Sequence, residues 1–177
     1  DVFCSLSAPA HADRRLAPVH SERTDVLVVG GGPVGLFMAA LLAARGVDVR
    51  VWERRAEPPT GSRAIGIHPP SLDAFAAIGL DTAVLAEESL VHAGVARSRG
   101  RTLGTLRFDR ASPTHPYVAT LDQHRTESLL RDRLHTGAPE ALRTGTALTA
   151  LTRHTDHVDA TGTGPDGDVV TVRAAFV

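Results

Sequence analysis

The fold is decided by the stretch TDVLVVGGGPVG at residues 24–35. Its apolar run Val26–Val29 is typical of a parallel strand that is buried on both faces. The pattern then predicts a helix over residues 33–45, which Gly46 ends, and a second strand over residues 49–52. A strand, a glycine turn, a helix and a further strand within about 30 residues predict a βαβ unit.

Three glycines at the joint between the first strand and the helix have the spacing of a dinucleotide-binding turn. Gly30, Gly32 and Gly35 form the pattern G-x-G-x-x-G. In this pattern the first glycine permits the tight turn, the second lets the backbone approach a pyrophosphate, and the third lets helix and strand pack closely. A helix N-terminus also offers unpaired N–H groups and a positive partial charge. We therefore assign Pro33 and Val34, at the predicted helix start, to the same cofactor site.

An acidic residue follows at the spacing that such a site requires. Glu53 lies 23 positions after Gly30, at the end of the second predicted strand, where a carboxylate accepts hydrogen bonds from ribose hydroxyls. The alternative is a generic strand–helix turn with Glu53 as a solvated surface charge. A carboxylate at this position serves FAD or NAD and disfavours NADP through charge repulsion. These residues alone leave the choice between FAD and NAD open.

Composition bounds the class of protein. The chain has 177 residues and a formal net charge of -1, which indicates one globular domain without a global attraction to nucleic acid or to anionic membranes. All its basic residues are arginines, so it lacks a lysine for Schiff-base or phosphate-loop chemistry. The single cysteine, Cys4, excludes an intramolecular disulfide framework, and no apolar run is long enough to span a membrane. We expect a cytoplasmic protein.

The rest of the chain predicts a leader and further strands. Residues 1–23 have no sustained period and are expected to form a disordered leader before a domain over residues 24–177. The pattern predicts an added hairpin around Arg99-Gly100 and a β-meander over residues 146–175, completing a Rossmann-like α/β fold. His154 and His157 resemble a metal pair, but on a strand their odd spacing would direct the rings to opposite faces. No metal site is predicted.

Beyond the glycine turn, several segments resemble the flavin-dependent aromatic hydroxylases, the group that includes para-hydroxybenzoate hydroxylase and phenol hydroxylase. Residues 24–55 are similar to the first FAD motif of that family, including Arg54 directly after the acidic residue. SRAIGIHP at residues 62–69 resembles the segment in which an arginine contacts the flavin dinucleotide, and Arg63 takes that position. The family also has a strand that leads into a helix beginning with a flavin-contacting glutamine. PYV at residues 116–118 is similar to that strand, and QHRTESLL at residues 123–130 is similar to that helix, with Gln123 as the glutamine.

The resemblance implies an NAD(P)H-dependent FAD monooxygenase that hydroxylates an aromatic or polyketide-type substrate. It names no catalytic residue in this chain, and it leaves the choice between NADH and NADPH and the oligomeric state open. In the family, the last predicted strand runs into flavin-contacting and substrate-covering segments that are absent here, so the domain is expected to be incomplete. A non-catalytic or truncated FAD-binding module and an NAD-dependent dehydrogenase domain remain alternatives.

Overall fold

A computed structural model describes residues 22–58 and 66–177. The predicted leader falls almost wholly on residues 1–21, and Arg63 falls on residues 59–65. Residues 1–21 and Arg63 therefore lie outside the described residues, and the predictions made for them stay predictions. The predicted end of the leader at residue 23 is wrong, because Glu22 and Arg23 pair with the last strand, Val169–Phe176, as the start of the first strand. In the described part, no helix is long and apolar enough to cross a membrane.

The described residues form eleven strands and four helices. In chain order these are β1 (Glu22–Val29), α1 (Pro33–Ala43), β2 (Val49–Glu53), β3 (Gly66–Ile67), α2 (Pro69–Ala76), α3 (Asp81–Leu85), β4 (Ser89–Val91), β5 (Ala93–Ser98), β6 (Arg101–Arg107), β7 (Val118–Thr120), α4 (Gln123–Gly137), β8 (Leu142–Thr144), β9 (Ala147–Arg153), β10 (Val158–Thr163) and β11 (Val169–Phe176).

A six-stranded sheet carries the fold, in the order β8-β2-β1-β11-β10-β9. Its first four strands are parallel, and β10 and β9 extend it in antiparallel fashion. The predicted βαβ unit is confirmed, because β1 and β2 are parallel neighbours with Val28 beside Val51 and Val29 beside Trp52. The predicted meander is confirmed as β9, β10 and β11. The α/β class, with a parallel sheet and an added meander, is therefore correct.

Helices α1, α2, α3 and α4 cover one face of the parallel strands. Leu36 from α1, Leu72 from α2, Val84 from α3 and Leu130 from α4 are all fully buried and belong to one core cluster with Val51 of β2. Burying a leucine or valine side chain contributes roughly 1.5–3 kcal/mol to folding. This core fixes the start of α1 against the end of β1, where the glycine turn lies.

A second, smaller core lies on the opposite face, where the meander curls over the sheet. Leu27 of β1, Trp52 of β2 and Val172 of β11 are buried together there. Gly162 belongs to β10, which is three strand positions from β2, yet an ideal Cβ at Gly162 would lie 2.9 Å from Cζ3 of Trp52. Neighbouring strands are about 4.8 Å apart, so a flat sheet would not permit this contact. The glycine gives the indole its space.

The added hairpin is confirmed as β5 and β6, and its turn has a simple cause. Arg99 has a φ of 47° and Gly100 a φ of 76°, which is the backbone of a tight hairpin turn with a right-handed twist. Strands β3, β4 and β8 were not predicted, because each has only two or three residues, too few to show a period. Asp122 occupies the N-cap position of α4, but its side chain makes no capping hydrogen bond there.

Candidate dinucleotide site

Two positions in the glycine turn require a glycine, Gly30 because of its backbone angle and Gly35 because of its close contacts. Gly30 has a φ of +113°, in the region that L-residues rarely adopt, so the chain can turn sharply out of β1. An ideal Cβ at Gly35 would lie 2.0 Å from the carbonyl oxygen of Gly30 and 3.2 Å from Cγ1 of Val28. Both structural roles assigned to the first and third glycines from the sequence agree with this geometry.

The second glycine is different, because no part of the described protein requires it to be a glycine. Gly32 has a φ of -78° and a ψ of -178°, an extended backbone that any residue adopts. An ideal Cβ there would meet no heavy atom within 4 Å among the described residues. Its missing side chain therefore leaves open space at the surface of the turn, as expected where a ligand approaches the backbone.

The start of α1 faces this open space. Gly32 is the N-cap and receives no side-chain capping bond, Pro33 occupies the first turn, and no acidic residue lies there. The amide of Leu36 is the first to bond within the helix, to the carbonyl of Gly32, at 2.9 Å. The side chain of Val34 is exposed. The first turn of α1 therefore has no acidic residue and no side-chain cap of its own, and a helix N-terminus of this kind suits a phosphate.

Glu53 is held beside the same turn. The residue is 7% exposed, and its two carboxylate oxygens accept hydrogen bonds from the backbone N–H of Gly31, at 2.6 Å, and of Arg55, at 2.9 Å. The alternative of a solvated surface charge is therefore wrong. A carboxylate has about four acceptor positions. Two backbone donors fix its orientation and leave acceptor capacity for ribose hydroxyls.

The balance of charges keeps Glu53 ionised. Burial raises the pKa of this carboxyl, but the N–H groups of Arg55 and Gly31, together with the positive charges of Arg55 and Arg54, outweigh burial and lower the pKa below its ordinary value of 4.5. Arg55 lies with Nη1 3.9 Å from Oε1 of Glu53. Arg54, which was assigned to the cofactor site, is exposed beside it. A carboxylate acceptor is therefore present at neutral pH.

Gly31 is the residue of this site that sequence reasoning missed. An ideal Cβ at Gly31 would lie 2.8 Å from Cβ of Glu53, so a side chain there would push the carboxylate away. The pattern G-x-G-x-x-G leaves this position open to any residue. The only signal was the run of three glycines, Gly30-Gly31-Gly32, which is one more than the pattern requires.

Gln123 lies at the first residue of α4, as predicted. Its Nε2 donates to Oε1 of Glu127 at 2.8 Å, and Glu127 is buried and also lies 3.6 Å from Nη2 of Arg131. The described residues therefore show Glu127 as the group that orients the Gln123 amide. Gly66, the first described residue after the segment with Arg63, pairs with Thr120, three positions before Gln123.

The family sequence model for the FAD binding domain matches residues 23–177. The chain belongs to this FAD-binding family. It is 39% identical over 146 residues to the 12-dehydrotetracycline 5-monooxygenase/anhydrotetracycline 6-monooxygenase of Streptomyces rimosus, which covers 82% of this chain and 28% of that protein. The relatives are named as monooxygenases, and the family model is that of an FAD binding domain, so the resemblance to the flavin-dependent aromatic hydroxylases is confirmed.

Solved structures give the same result. The anhydrotetracycline hydroxylase OxyS from Streptomyces rimosus superposes with a TM-score of 0.74 at 35% identity, covering 86% of this chain and 30% of that one. The p-nitrophenol 4-monooxygenase PnpA from Pseudomonas putida superposes with a TM-score of 0.79 at 26% identity, covering 87% and 40%. The chain thus spans under a third of the length of the curated relatives that it matches first.

One geometric argument from the sequence is wrong. His154 and His157 do not point to opposite faces, because residues 154–157 form the tight turn between β9 and β10 and are not part of a strand. The amide of His154 bonds the carbonyl of His157 at 2.8 Å, and the two rings stack with centroids 4.3 Å apart. The period-two rule does not apply inside such a turn.

Proposed function

We propose that this chain binds FAD for an NAD(P)H-dependent monooxygenase that hydroxylates an aromatic or polyketide-type ring. The observation that carries the proposal is Gly32, a glycine that neither the backbone nor the packing of the described protein requires, placed at an uncapped helix N-terminus beside an ionised Glu53. Family membership makes FAD the dinucleotide that fits this cradle.

Different residues of the proposed site would contact different parts of the dinucleotide. The backbone at Gly30, Gly32 and Gly35, with the helix start at Pro33 and Val34, would receive the pyrophosphate, since amide N–H groups and the helix dipole both favour an anion. Glu53 would accept from the ribose hydroxyls. Arg54 adds positive charge on the exposed side of that carboxylate.

Two further residues complete the proposed site. Arg63 would donate its paired N–H groups to phosphate oxygens, as guanidinium groups do. Gln123 would contact the flavin portion through its amide, with Glu127 holding the amide in place at 2.8 Å. The pairing of Gly66 with Thr120 supports a common site, because it joins the chain segments that carry these two residues.

FAD, when bound, would supply the redox chemistry for hydroxylating an electron-rich ring with oxygen and NADH or NADPH. This chain's own part is to bind and orient the cofactor. We assign no general acid, base or nucleophile. The relatives are named for anhydrotetracycline and p-nitrophenol, among other compounds, and these names support an aromatic substrate for the whole enzyme. A protein with one cysteine and this cofactor is best suited to the reducing cytoplasm.

A binding titration tests the cradle. We expect the purified chain to quench FAD fluorescence and to bind FAD more tightly than NAD. Arg54→Ala and Arg63→Ala should weaken FAD binding about tenfold each, as the loss of a charge-assisted contact predicts. Arg97→Ala, an exposed arginine on β5, is the matched control and should change nothing. Tight NAD binding without FAD binding would overturn the proposal.

Activity is tested on the complete protein that carries this chain. We expect its consumption of NADH or NADPH to rise when a phenolic or polyketide substrate is added, with oxygen consumed and a hydroxylated product formed. A complete protein that is yellow with FAD but oxidises neither nicotinamide cofactor with any such substrate would leave FAD binding intact and refute the monooxygenase assignment.

A further inference from the structure

The turn between β9 and β10 gathers two imidazoles and a carboxylate. Nε2 of His154 lies 3.1 Å from Oδ2 of Asp159, and Nε2 of His157 lies 3.7 Å from Oδ1 of the same residue. One ligand atom from each of the three residues lies within 4.8 Å of the others. Ligand atoms at about 2.0–2.1 Å from a tetrahedral metal ion are about 3.3 Å apart, so small side-chain rotations would bring these atoms to bonding distance.

His157 is already prepared as a ligand. Its Nδ1 lies 2.7 Å from Oδ1 of Asp156, and its Nε2 is buried and has no hydrogen-bond partner among the described residues. A buried ring nitrogen without a partner costs folding free energy. In metal sites, a carboxylate that binds one imidazole nitrogen fixes the tautomer and directs the lone pair of the other nitrogen to the metal. Asp156 and His157 have this arrangement.

Asp159 is fixed as well. Nε of Arg173 donates to its Oδ1 at 2.9 Å, and Nη2 of Arg173 donates to its Oδ2 at 3.4 Å. These two bonds hold the Asp159 carboxylate in a fixed orientation beside the histidines. A carboxylate accepts about four hydrogen bonds or ligand contacts, so each oxygen keeps a lone pair that faces the histidines.

We propose that His154, His157 and Asp159 form a surface site for a divalent ion of the zinc class. Two imidazoles and one carboxylate, without a thiolate, suit Zn²⁺, Co²⁺, Ni²⁺ or Cu²⁺ and exclude a site specific for Ca²⁺ or Mg²⁺, which take oxygen ligands. Three protein ligands leave a position open to water. The site lies on β10 and the turn before it, and β11 lies between β10 and β1 in the sheet.

Zinc titration against a chromophoric chelator tests the proposal on the chain after treatment with a strong chelator. We expect one Zn²⁺ per chain. His154→Ala and His157→Ala should each lose more affinity than Asp156→Asn, for which the loss of an outer partner predicts about a 10- to 100-fold decrease. His135→Ala, an exposed histidine at the end of α4, is the matched control and should bind Zn²⁺ as the parent chain does.

Cobalt provides a second measurement that depends on ligation. Co²⁺ bound through two imidazoles should give visible absorption bands that disappear in the His154→Ala and His157→Ala variants, while the circular dichroism spectra of these variants stay unchanged. Zinc binding of equal strength in the doubly substituted chain would overturn the proposal. A folded parent chain that binds no Zn²⁺ would overturn it equally.

Discussion

The same substitution should reduce stability at one glycine of the turn and FAD affinity at another. The change is glycine to alanine, at Gly35 and separately at Gly32. At Gly35 the new Cβ would lie 2.0 Å from the carbonyl oxygen of Gly30, and that atom belongs to backbone held at the end of β1. At Gly32 the new Cβ would meet no described atom within 4 Å.

The magnitudes follow from these contacts. Overpacking a core usually costs about 1–3 kcal/mol, and a contact with backbone cannot be relieved by rotating a side chain, so Gly35→Ala should cost about 3 kcal/mol or more. Gly32→Ala replaces a tolerated N-cap residue by a poor one, at a cost of up to about 1 kcal/mol. Alanine also lowers the conformational entropy of the unfolded chain, which stabilises the folded state by about 0.4–1 kcal/mol. The net change at Gly32 should therefore be near zero.

Thermal unfolding and FAD titration, performed on the same samples, separate the two effects. Gly35→Ala should lower the melting temperature, while Gly32→Ala should keep it and weaken FAD binding. Gly104→Ala is the control, since a Cβ on that exposed strand residue also meets nothing within 4 Å. Unchanged FAD affinity in Gly32→Ala would refute the assignment of this open space to the pyrophosphate. An unchanged melting temperature in Gly35→Ala would refute the packing argument.

Three further substitutions test charges in the fold. Glu53→Gln should lower the free energy of unfolding at neutral pH and reduce its dependence on pH in the acid range. The pKa of Glu53 is lowered in the folded protein, so its ionised carboxylate stabilises the fold above pH 4.5. This stabilisation is lost as the pH falls through the folded pKa. Glu88→Leu should raise the free energy of unfolding by about 1 kcal/mol at neutral pH, because both Glu88 carboxylate oxygens are buried without a hydrogen-bond partner among the described residues, and burial raises the pKa of Glu88. This gain should shrink as the pH falls towards 4.5. Asp73→Ala should lower the melting temperature, since Oδ1 of Asp73 binds the side chains of Ser112, Thr114 and His115, and two of these residues are buried.

Local sequence patterns were enough to predict the elements that are long or that contain a characteristic glycine or proline. The apolar run of β1, the helix start at Pro33 and the Arg99-Gly100 turn each carry their cause within a few residues. Helix α1 ends at Ala43, two residues before the predicted end, and Gly46 follows with a φ of 76°. The proximity of Glu53 to the glycine turn was predictable for the same reason, since both belong to one βαβ unit.

Contacts between distant residues were not predictable. Nothing near Gly162 indicates that it lies against Trp52, and a period of two says nothing about a sheet that curls. The stacked rings of His154 and His157 were assigned to a strand because the turn between β9 and β10 has no glycine or proline to mark it. Side-chain bonds across the turn set that geometry, and they follow from the fold and not from local propensity.

The bond between Gly31 and Glu53 has a consequence for how the cradle can be tested. Two backbone N–H groups fix the orientation of the Glu53 carboxylate. If this carboxylate accepts from a ribose, we expect little further ordering of the side chain to oppose binding. The same bonds make Glu53 part of the fold, so a substitution there changes stability and FAD affinity together. Gly32 has no such second role among the described residues. A loss of affinity at Gly32 with stability unchanged therefore identifies the cofactor contact, whereas a loss at Glu53 does not.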